Sequence, residues 1–196
     1  MNMTVTNSAS TRRGEVVDAA VRVIARDGLS AASLRSIARE IGYTTGVVMH
    51  YFKGKQELLV AAAEAVFAPF DPLLAEAAAD GFEGLRRLCT VPLPTTAAKE
   101  ALWHIYAQAL ASAETEPAFA ATVRSRYGAI RARIQTLLAD GQRGDYLRGD
   151  FDPAAQCDIL CALIDGLSLH AISEPDRFPP GHLETLVTQE LEKLRA

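Results

Sequence analysis

The most informative stretch of this chain runs from Ser33 to Lys55 and reads Ser-Leu-Arg-Ser-Ile-Ala-Arg-Glu-Ile-Gly-Tyr-Thr-Thr-Gly-Val-Val-Met-His-Tyr-Phe-Lys-Gly-Lys. Ser33 is a favoured N-cap residue, and the apolar residues after it recur at helical spacing. Gly42 supplies the left-handed backbone that ends this helix, and Thr44 caps a second helix two residues later. Two helices joined by so tight a turn cross steeply. The stretch therefore predicts a helix-turn-helix.

The second helix of such a unit fits the major groove of DNA, and here it would run from Thr44 to Tyr51. Gly46 lets the backbone approach the groove wall, and Arg35 is long enough to reach a guanine edge or the phosphate beside it. Lys55 lies in the first turn of the next helix, where it and free amides can bind one phosphate. Two side chains of this region are expected to point inward, Val48 and Phe52. The chain is thus predicted to bind DNA.

The charge of the chain is divided by segment. The net charge of the 196 residues is −4, but residues 1–55 carry eight basic and four acidic side chains, a balance of +4. The remaining residues carry −8. One end of the molecule is therefore suited to meet phosphates and the other is not, although a solvated basic face would show a similar bias.

The composition indicates a soluble cytoplasmic protein. A hydrophobic content of 49% supports a sizeable core, and three cysteines without framework spacing suit a reducing compartment. We expect no membrane span and no signal peptide. Residues 1–10 are predicted to be a disordered polar tail.

Helical periodicity extends through almost the whole chain, which predicts an all-α fold of about nine helices. We expect a three-helix DNA-binding domain over residues 11–53 and a larger helical bundle for ligand binding and dimerisation over 54–196. The helices are predicted at roughly 11–27, 33–41, 44–51, 54–67 with a continuation over 73–79 beyond Pro69 and Pro72, 82–90, 95–114, 117–141, 153–173 and 182–194.

The N-terminal residues resemble the signature of the TetR family of bacterial transcriptional regulators. The resemblance covers about residues 12–60 and rests on Ile37-Ala38, Ile41-Gly42, Thr45-Gly46-Val47-Val48, His50-Tyr51-Phe52, Lys55 and Glu57-Leu58-Leu59. A shorter stretch from Leu163 to His170, with the proline-rich loop and final helix after it, is similar to the C-terminal domain of the subgroup named for the betaine regulator BetI.

This resemblance implies a homodimer that represses transcription by binding a palindromic operator and leaves it when a small molecule binds. The dimer contact would come from the last two helices. Residues placed by the resemblance near base edges are Arg35, Thr45, Gly46 and Met49, and those placed near phosphates are Thr44, Val47, His50, Tyr51 and Lys55. Met49 departs from the family, which most often has tyrosine there, and a thioether offers only apolar contact to a base.

In the C-terminal part, several side chains have both a structural and a functional interpretation. Trp103, Tyr106 and Leu110 recur at helical spacing and suit an ordinary core, but aromatic residues with polar tips can also line a ligand cavity. Asp165 lies on an otherwise apolar helix and needs a partner, so it faces either a ligand or the dimer contact. The candidate ligand-binding residues are Phe67, Trp103, Tyr106, Tyr127 and Asp165.

Other chemistry has little support in the sequence. Cys157 and Cys161 lie four residues apart, but no third ligand has metal-binding spacing, so buried inert thiols are expected. We find no nucleophile elbow, zinc-protease motif or phosphate-binding glycine loop, and expect no enzyme, cofactor or metal. The alternatives to a specific regulator are a non-specific architectural DNA-binding protein, and a helical enzyme or small-molecule carrier that does not bind DNA.

Overall fold

A computed structural model describes residues 3–77, 80–179 and 181–196, with side chains from residue 11 onward. The all-α prediction is confirmed. Ten α-helices lie in these ranges, where about nine were predicted, because the helix is interrupted at Pro69 and Pro72, one of the two outcomes (kink or interruption) that these prolines predict. The helices are α1 Met3–Asp27, α2 Leu34–Glu40, α3 Thr45–Tyr51, α4 Lys55–Phe67, α5 Asp71–Glu76, α6 Gly81–Thr90, α7 Ala97–Ala111, α8 Pro117–Arg143, α9 Pro153–Ser173 and α10 His182–Glu192.

The start of α1 differs from the helix predicted over 11–27. The structure carries the helix back to Met3, since no proline or glycine in residues 3–10 interrupts it. Residues 1 and 2 lie outside the described residues, and so do the side chains of 3–10. The tail predicted for residues 1–10 therefore stays a prediction.

The chain divides into two compact units whose bounds differ from the predicted boundary at 53/54. Unit 1 comprises residues 1–68 and 104–124, and unit 2 comprises 69–103 and 125–196. Helix α4 belongs to unit 1 because it packs on α1. The predicted division into 11–53 and 54–196 assigned α4 to the second domain.

Unit 1 is built around α1, which contacts both α2 and α4. Its buried core joins Val16, Ala20 and Ile24 of α1 to Leu58 and Leu59 of α4. Burial of these side chains holds α1 and α4 together. Helix α2 packs on α1, and α3 packs on α2.

In unit 2, α6 packs against α5 and α10, and α10 also contacts α9. Leu85 and Leu88 of α6 and Val187 and Leu191 of α10 are fully or nearly fully buried. Glycine is needed at position 84, because a Cβ there would lie 2.1 Å from the Ala77 carbonyl oxygen. Because Gly84 has no side chain, α6 can pack closely against the backbone that follows α5.

The expectation that no segment matches a membrane span was wrong by length and composition. The stretches Lys55–Glu76 and Pro153–Ser173 are long and apolar enough to cross a membrane. Core helices of soluble proteins meet the same criterion, so this is weak evidence for a span. In the most apolar 18-residue stretch of Pro153–Ser173, only 28% is buried. Much of the apolar surface of α9 is therefore uncovered in the single chain.

Candidate nucleic-acid interface

The helix-turn-helix is formed by α2, α3 and the turn between them, and its caps agree with the sequence prediction. The Ser33 hydroxyl accepts the Ser36 N–H at 3.0 Å, while the Ser36 hydroxyl accepts the Ser33 N–H at 2.9 Å. Gly42 has φ +70°, the left-handed conformation expected of it. The Thr44 hydroxyl accepts the Val47 N–H at 3.4 Å. Both short helices thus begin at a capping side chain, as predicted.

Helix α3 is held from one side. Val48 is 0% exposed and Phe52 is 1% exposed, which confirms that both point inward. The guanidinium carbon of Arg13 lies 4.8 Å from the centre of the Phe52 ring, so a cation–π contact joins α1 to the end of α3. Because only seven residues form α3, these contacts and the cap keep it in place.

The rest of α3 and its surroundings face solvent. Of the nine predicted DNA-contacting residues, five are exposed, namely Arg35, Thr44, Gly46, Met49 and His50. Four are half-buried, namely Thr45, Val47, Tyr51 and Lys55. Met49 is 58% exposed, unusually high for a large apolar side chain. None of the nine is buried, so all are available at the surface of unit 1.

Three acidic side chains near the helix-turn-helix bond to groups of the same unit. Arg26 donates to both Asp27 and Glu40, at 2.8 and 3.1 Å, and these bonds hold the pKa of each carboxyl below its ordinary value. Tyr43 donates a hydrogen bond to Glu15, which raises the pKa of the tyrosine. Pairing these carboxylates reduces the repulsion that a nearby phosphate would experience.

Lys55 has a partner that sequence analysis missed. Its Nζ lies 3.0 Å from Oε1 of Glu116, the residue immediately before α8. Pro117 is the first residue of α8, as predicted. The partners are 61 positions apart, since one begins α4 and the other precedes α8, so no local spacing reveals the pair.

The pair lines a cavity of about 510 Å³ within unit 1. Gln108 also lines it and accepts the Leu29 N–H at 3.2 Å, which ties α7 to the end of α1. Ser112 lies in the same wall, and its buried hydroxyl has no hydrogen-bond partner among the described residues. This cavity has both apolar and polar lining residues and is open to solvent beside the N-terminus of α4.

Two of the five candidate ligand-binding residues are in direct contact. Tyr127 of α8 donates a hydrogen bond to Asp165 of α9 at 2.5 Å, so the carboxylate has a partner within its own chain. The expected contact of Asp165 with a ligand or a second copy stays a prediction. Trp103, also in unit 2, is 3% exposed and donates its indole N–H to the Pro92 carbonyl at 2.7 Å. Phe67 and Tyr106 lie in unit 1, the first buried and the second half-buried.

One residue of the predicted core stripe does not belong to it. Leu110 is 61% exposed, whereas Trp103 on the same helix is buried. The two residues have helical spacing, but near the end of α7 no other element of the described chain covers the face on which Leu110 lies. The expectation that Leu110 packs in the core was wrong.

The cysteines agree with the structural interpretation. All three are buried, and Sγ of Cys157 lies 4.0 Å from Sγ of Cys161. The contact with Cys161 raises the pKa of the Cys157 thiol, and burial raises that of Cys89. No group of three or more metal-ligating side chains was found among the residues that the structure describes.

Comparison with known families now connects this geometry to function. Residues 16–62 match the family of bacterial regulatory proteins named tetR, and residues 82–196 match the C-terminal domain of BetI-type transcriptional repressors. The second match alone covers more than half of the chain. The chain belongs to the TetR family.

Two relatives of this TetR-family chain extend over most of its length, and a third matches its N-terminal part. The transcriptional regulator PksA of Bacillus subtilis is 26% identical over 93% of this chain and 89% of its own. A transcriptional regulator from Saccharomonospora viridis, solved in complex with choline, is 26% identical with a TM-score of 0.82, covering 95% of this chain and 99% of that one. A nicotine-responsive repressor of Paenarthrobacter nicotinovorans is 50% identical over 52 residues, 26% of this chain and 27% of its own.

The TetR-family assignment gives the two parts of the chain their general functions. The helix-turn-helix is the DNA-binding element, and the matched C-terminal region is a ligand-binding domain. The protein is a transcriptional regulator and not an enzyme. Helix α3 is the second helix of that helix-turn-helix.

Proposed function

We propose that this protein is a homodimeric repressor that binds a palindromic DNA operator and leaves it when a small molecule binds. The supporting observation is the form of α3, which is fixed by buried Val48 and Phe52 and exposes the remainder of its surface. A short helix with one anchored side and one open side can enter a major groove without rearranging. The protein would act in the cytoplasm, where its DNA is.

The contacts with DNA would divide into reading and positioning. Side chains proposed to approach base edges are Arg35, Thr45, Gly46 and Met49. Those proposed to approach phosphates are Thr44, Val47, His50, Tyr51 and Lys55. Base contacts supply sequence preference, whereas phosphate contacts fix the register and supply most of the salt dependence.

The dimer contact is proposed to involve α9 and α10. Helix α9 buries Cys157, Leu160, Cys161 and Ile164 inside its own chain and leaves a second apolar side uncovered. Ile159 on that side is 60% exposed, and Ala162 and Gly166 beside it are small enough for two helices to approach closely. Pairing with a second copy would bury this surface and place two recognition helices about one DNA turn, roughly 34 Å, apart.

We propose a small organic cation as the effector class. The Tyr127 ring already contacts a cation, since the guanidinium carbon of Arg131 lies 5.8 Å from its centre, and the adjoining Asp165 carboxylate adds negative charge. A cationic effector would take the place of Arg131 there, and the Saccharomonospora viridis relative was solved with choline. Helix α8 carries Tyr127 and begins directly after Glu116, the partner of Lys55. Movement of α8 on ligand binding would therefore reach the start of α4 and weaken DNA binding.

Titration calorimetry with choline chloride tests the effector class. We expect binding by the wild type and weaker binding by Asp165→Asn, with no heat from ammonium chloride as the control. Equal binding by wild type and variant would contradict the role of this carboxylate.

A comparison of two DNA duplexes tests the proposed function. Genomic DNA fragments that the protein retains are sequenced, and the protein's affinity for a selected fragment is compared with its affinity for a random duplex at the same salt concentration. We expect the selected fragment to bind at least a thousandfold more tightly, as specific regulators do. Equal affinities would indicate a non-specific architectural protein instead.

The double variant Lys55→Met, Tyr51→Phe serves as the second test. It should lose operator binding, because it removes two phosphate contacts, and should retain ligand binding by the C-terminal domain. If DNA binding were unchanged, the proposed docking face would be wrong. Ligand binding without any DNA binding by the wild type would indicate a small-molecule carrier.

A further inference from the structure

The N-terminus of α4 combines two features that both call for an anion. Lys55 is the first residue of α4, and the free backbone amides at this end add partial positive charge. A lysine at a helix N-terminus is unfavourable unless an anion lies next to it. Glu57 in the same turn is occupied, since its carboxylate accepts the Lys53 N–H at 2.8 Å.

In the structure, Glu116 supplies that anion to Lys55. The Nζ–Oε1 distance of 3.0 Å is that of a direct ion pair, and the Glu116 side chain is 21% exposed against 38% for Lys55. The backbone of Glu116 is fixed on both sides, because its N–H donates to the Ser112 carbonyl at 2.9 Å and its carbonyl accepts the Ala120 N–H at 3.1 Å. The backbone that carries this carboxylate is therefore fixed beside the N-terminus of α4.

We propose that Glu116 is an internal competitor of DNA: its carboxylate takes the place on Lys55 that a DNA phosphate takes in the complex. This inference rests on the proposed function of Lys55 as a phosphate contact. Both partners line the open cavity of unit 1, so Lys55 can turn away while water solvates the released carboxylate. Glu116 thereby lowers affinity for every duplex equally, because a phosphate contact carries no sequence information.

The test uses two matched variants of the full chain. Glu116→Gln removes the competing charge, and Glu114→Gln removes the same charge two residues away at an exposed position that forms no ion pair with the described residues. We expect Glu116→Gln to bind both the selected fragment and a random duplex about two- to fivefold more tightly than Glu114→Gln does, the range set by an exposed ion pair. Thermal unfolding checks that both variants are folded.

A second background separates competition from simple charge repulsion. In Lys55→Met protein, Glu116→Gln should have no more effect than Glu114→Gln, because the competed side chain is gone. If Glu116→Gln tightened binding equally in both backgrounds, or no more than Glu114→Gln in the first, this inference would be overturned. Absence of any DNA binding by the wild type would instead overturn the proposed function.

Discussion

Two neighbouring side chains of α3 have opposite environments. Val48 is fully buried and Met49 is the most exposed large apolar side chain of the helix. Burial makes Val48 part of the structure that holds α3, whereas Met49 contributes almost nothing to the folded chain alone. An exposed thioether on a recognition helix is available for apolar contact with a base, such as a thymine methyl group.

Truncation of these two residues should therefore separate stability from recognition. Val48→Ala is expected to lower the free energy of unfolding by about 2 kcal/mol, the cost of losing a buried side chain. Met49→Ala should change it by less than about 0.5 kcal/mol and should alter operator affinity. Urea unfolding and operator binding measure both quantities. A marked loss of stability in Met49→Ala would contradict the described exposure.

Sequence reasoning identified single residues well where the cause was local. The caps at Ser33 and Thr44, the left-handed Gly42 and the buried Val48 all follow from neighbours within a few positions. The Lys55–Glu116 pair did not follow, because its partners meet only when α4 and the start of α8 are brought together. A residue pair of this kind has no periodic signal.

Among the helices, the two elements of the helix-turn-helix begin with caps of unequal quality. Ser33 and Ser36 exchange two hydrogen bonds near 3 Å, whereas Thr44 makes one long bond of 3.4 Å. A reciprocal capping box satisfies two backbone N–H donors at once. Helix α2 thus depends more on its cap than α3 does.

Alanine substitutions at the caps should show this difference. Ser33→Ala is expected to lower the free energy of unfolding by about 1–2 kcal/mol, and Thr44→Ala by about 0.5–1 kcal/mol. Chemical denaturation of both variants under the same conditions measures the order. A larger loss for Thr44→Ala would contradict the cap geometry.

The junction of α1 and α2 should respond to acid. Arg26 bonds lower the pKa of Glu40 below its ordinary 4.5 in the folded chain. A lowered folded pKa means that the stabilisation is present at neutral pH and is lost as the pH falls through the folded value. We expect the stability difference between wild type and Glu40→Gln to shrink between pH 7 and pH 3. A gap that widens on acidification would contradict this assignment.

Helix identities were predictable from periodicity, but their ends were less so. The start of α1 differs from the sequence prediction, and the prolines between α4 and α5 left open whether the helix is kinked or interrupted. Helix ends depend on which competing cap, proline or tertiary contact prevails, and local propensity decides among these only weakly. The exposure of Leu110 was likewise not predictable from local sequence. Periodicity shows which residues share one face of a helix, but it does not show whether another element covers that face.

In the molecule as a whole, α9 has an apolar side that no other part of the described chain covers. Only 28% of the most apolar stretch of Pro153–Ser173 is buried, and Ile159 is 60% exposed. Apolar surface of this kind marks an interaction site in soluble proteins. A second copy of the chain is the proposed cover, in accordance with the TetR family.

A charged substitution on this side tests the assembly. Ile159→Glu should convert the dimer into a monomer, because two carboxylates would face each other in the contact, while the monomer keeps its helical content. Sedimentation velocity measures the mass, and circular dichroism checks the fold. The variant should also bind a palindromic fragment far more weakly. A dimer that persists unchanged would place the contact elsewhere.

Entry of α3 into the major groove is tested most directly by site-directed cleavage. All three native cysteines are buried, so Met49→Cys offers one exposed thiol for an iron–EDTA label. The labelled protein should cut the selected DNA at two positions about one helical turn apart, roughly 34 Å, while a label at Ser125→Cys should not. Cleavage spread evenly along the duplex, or none from position 49, would contradict the claim.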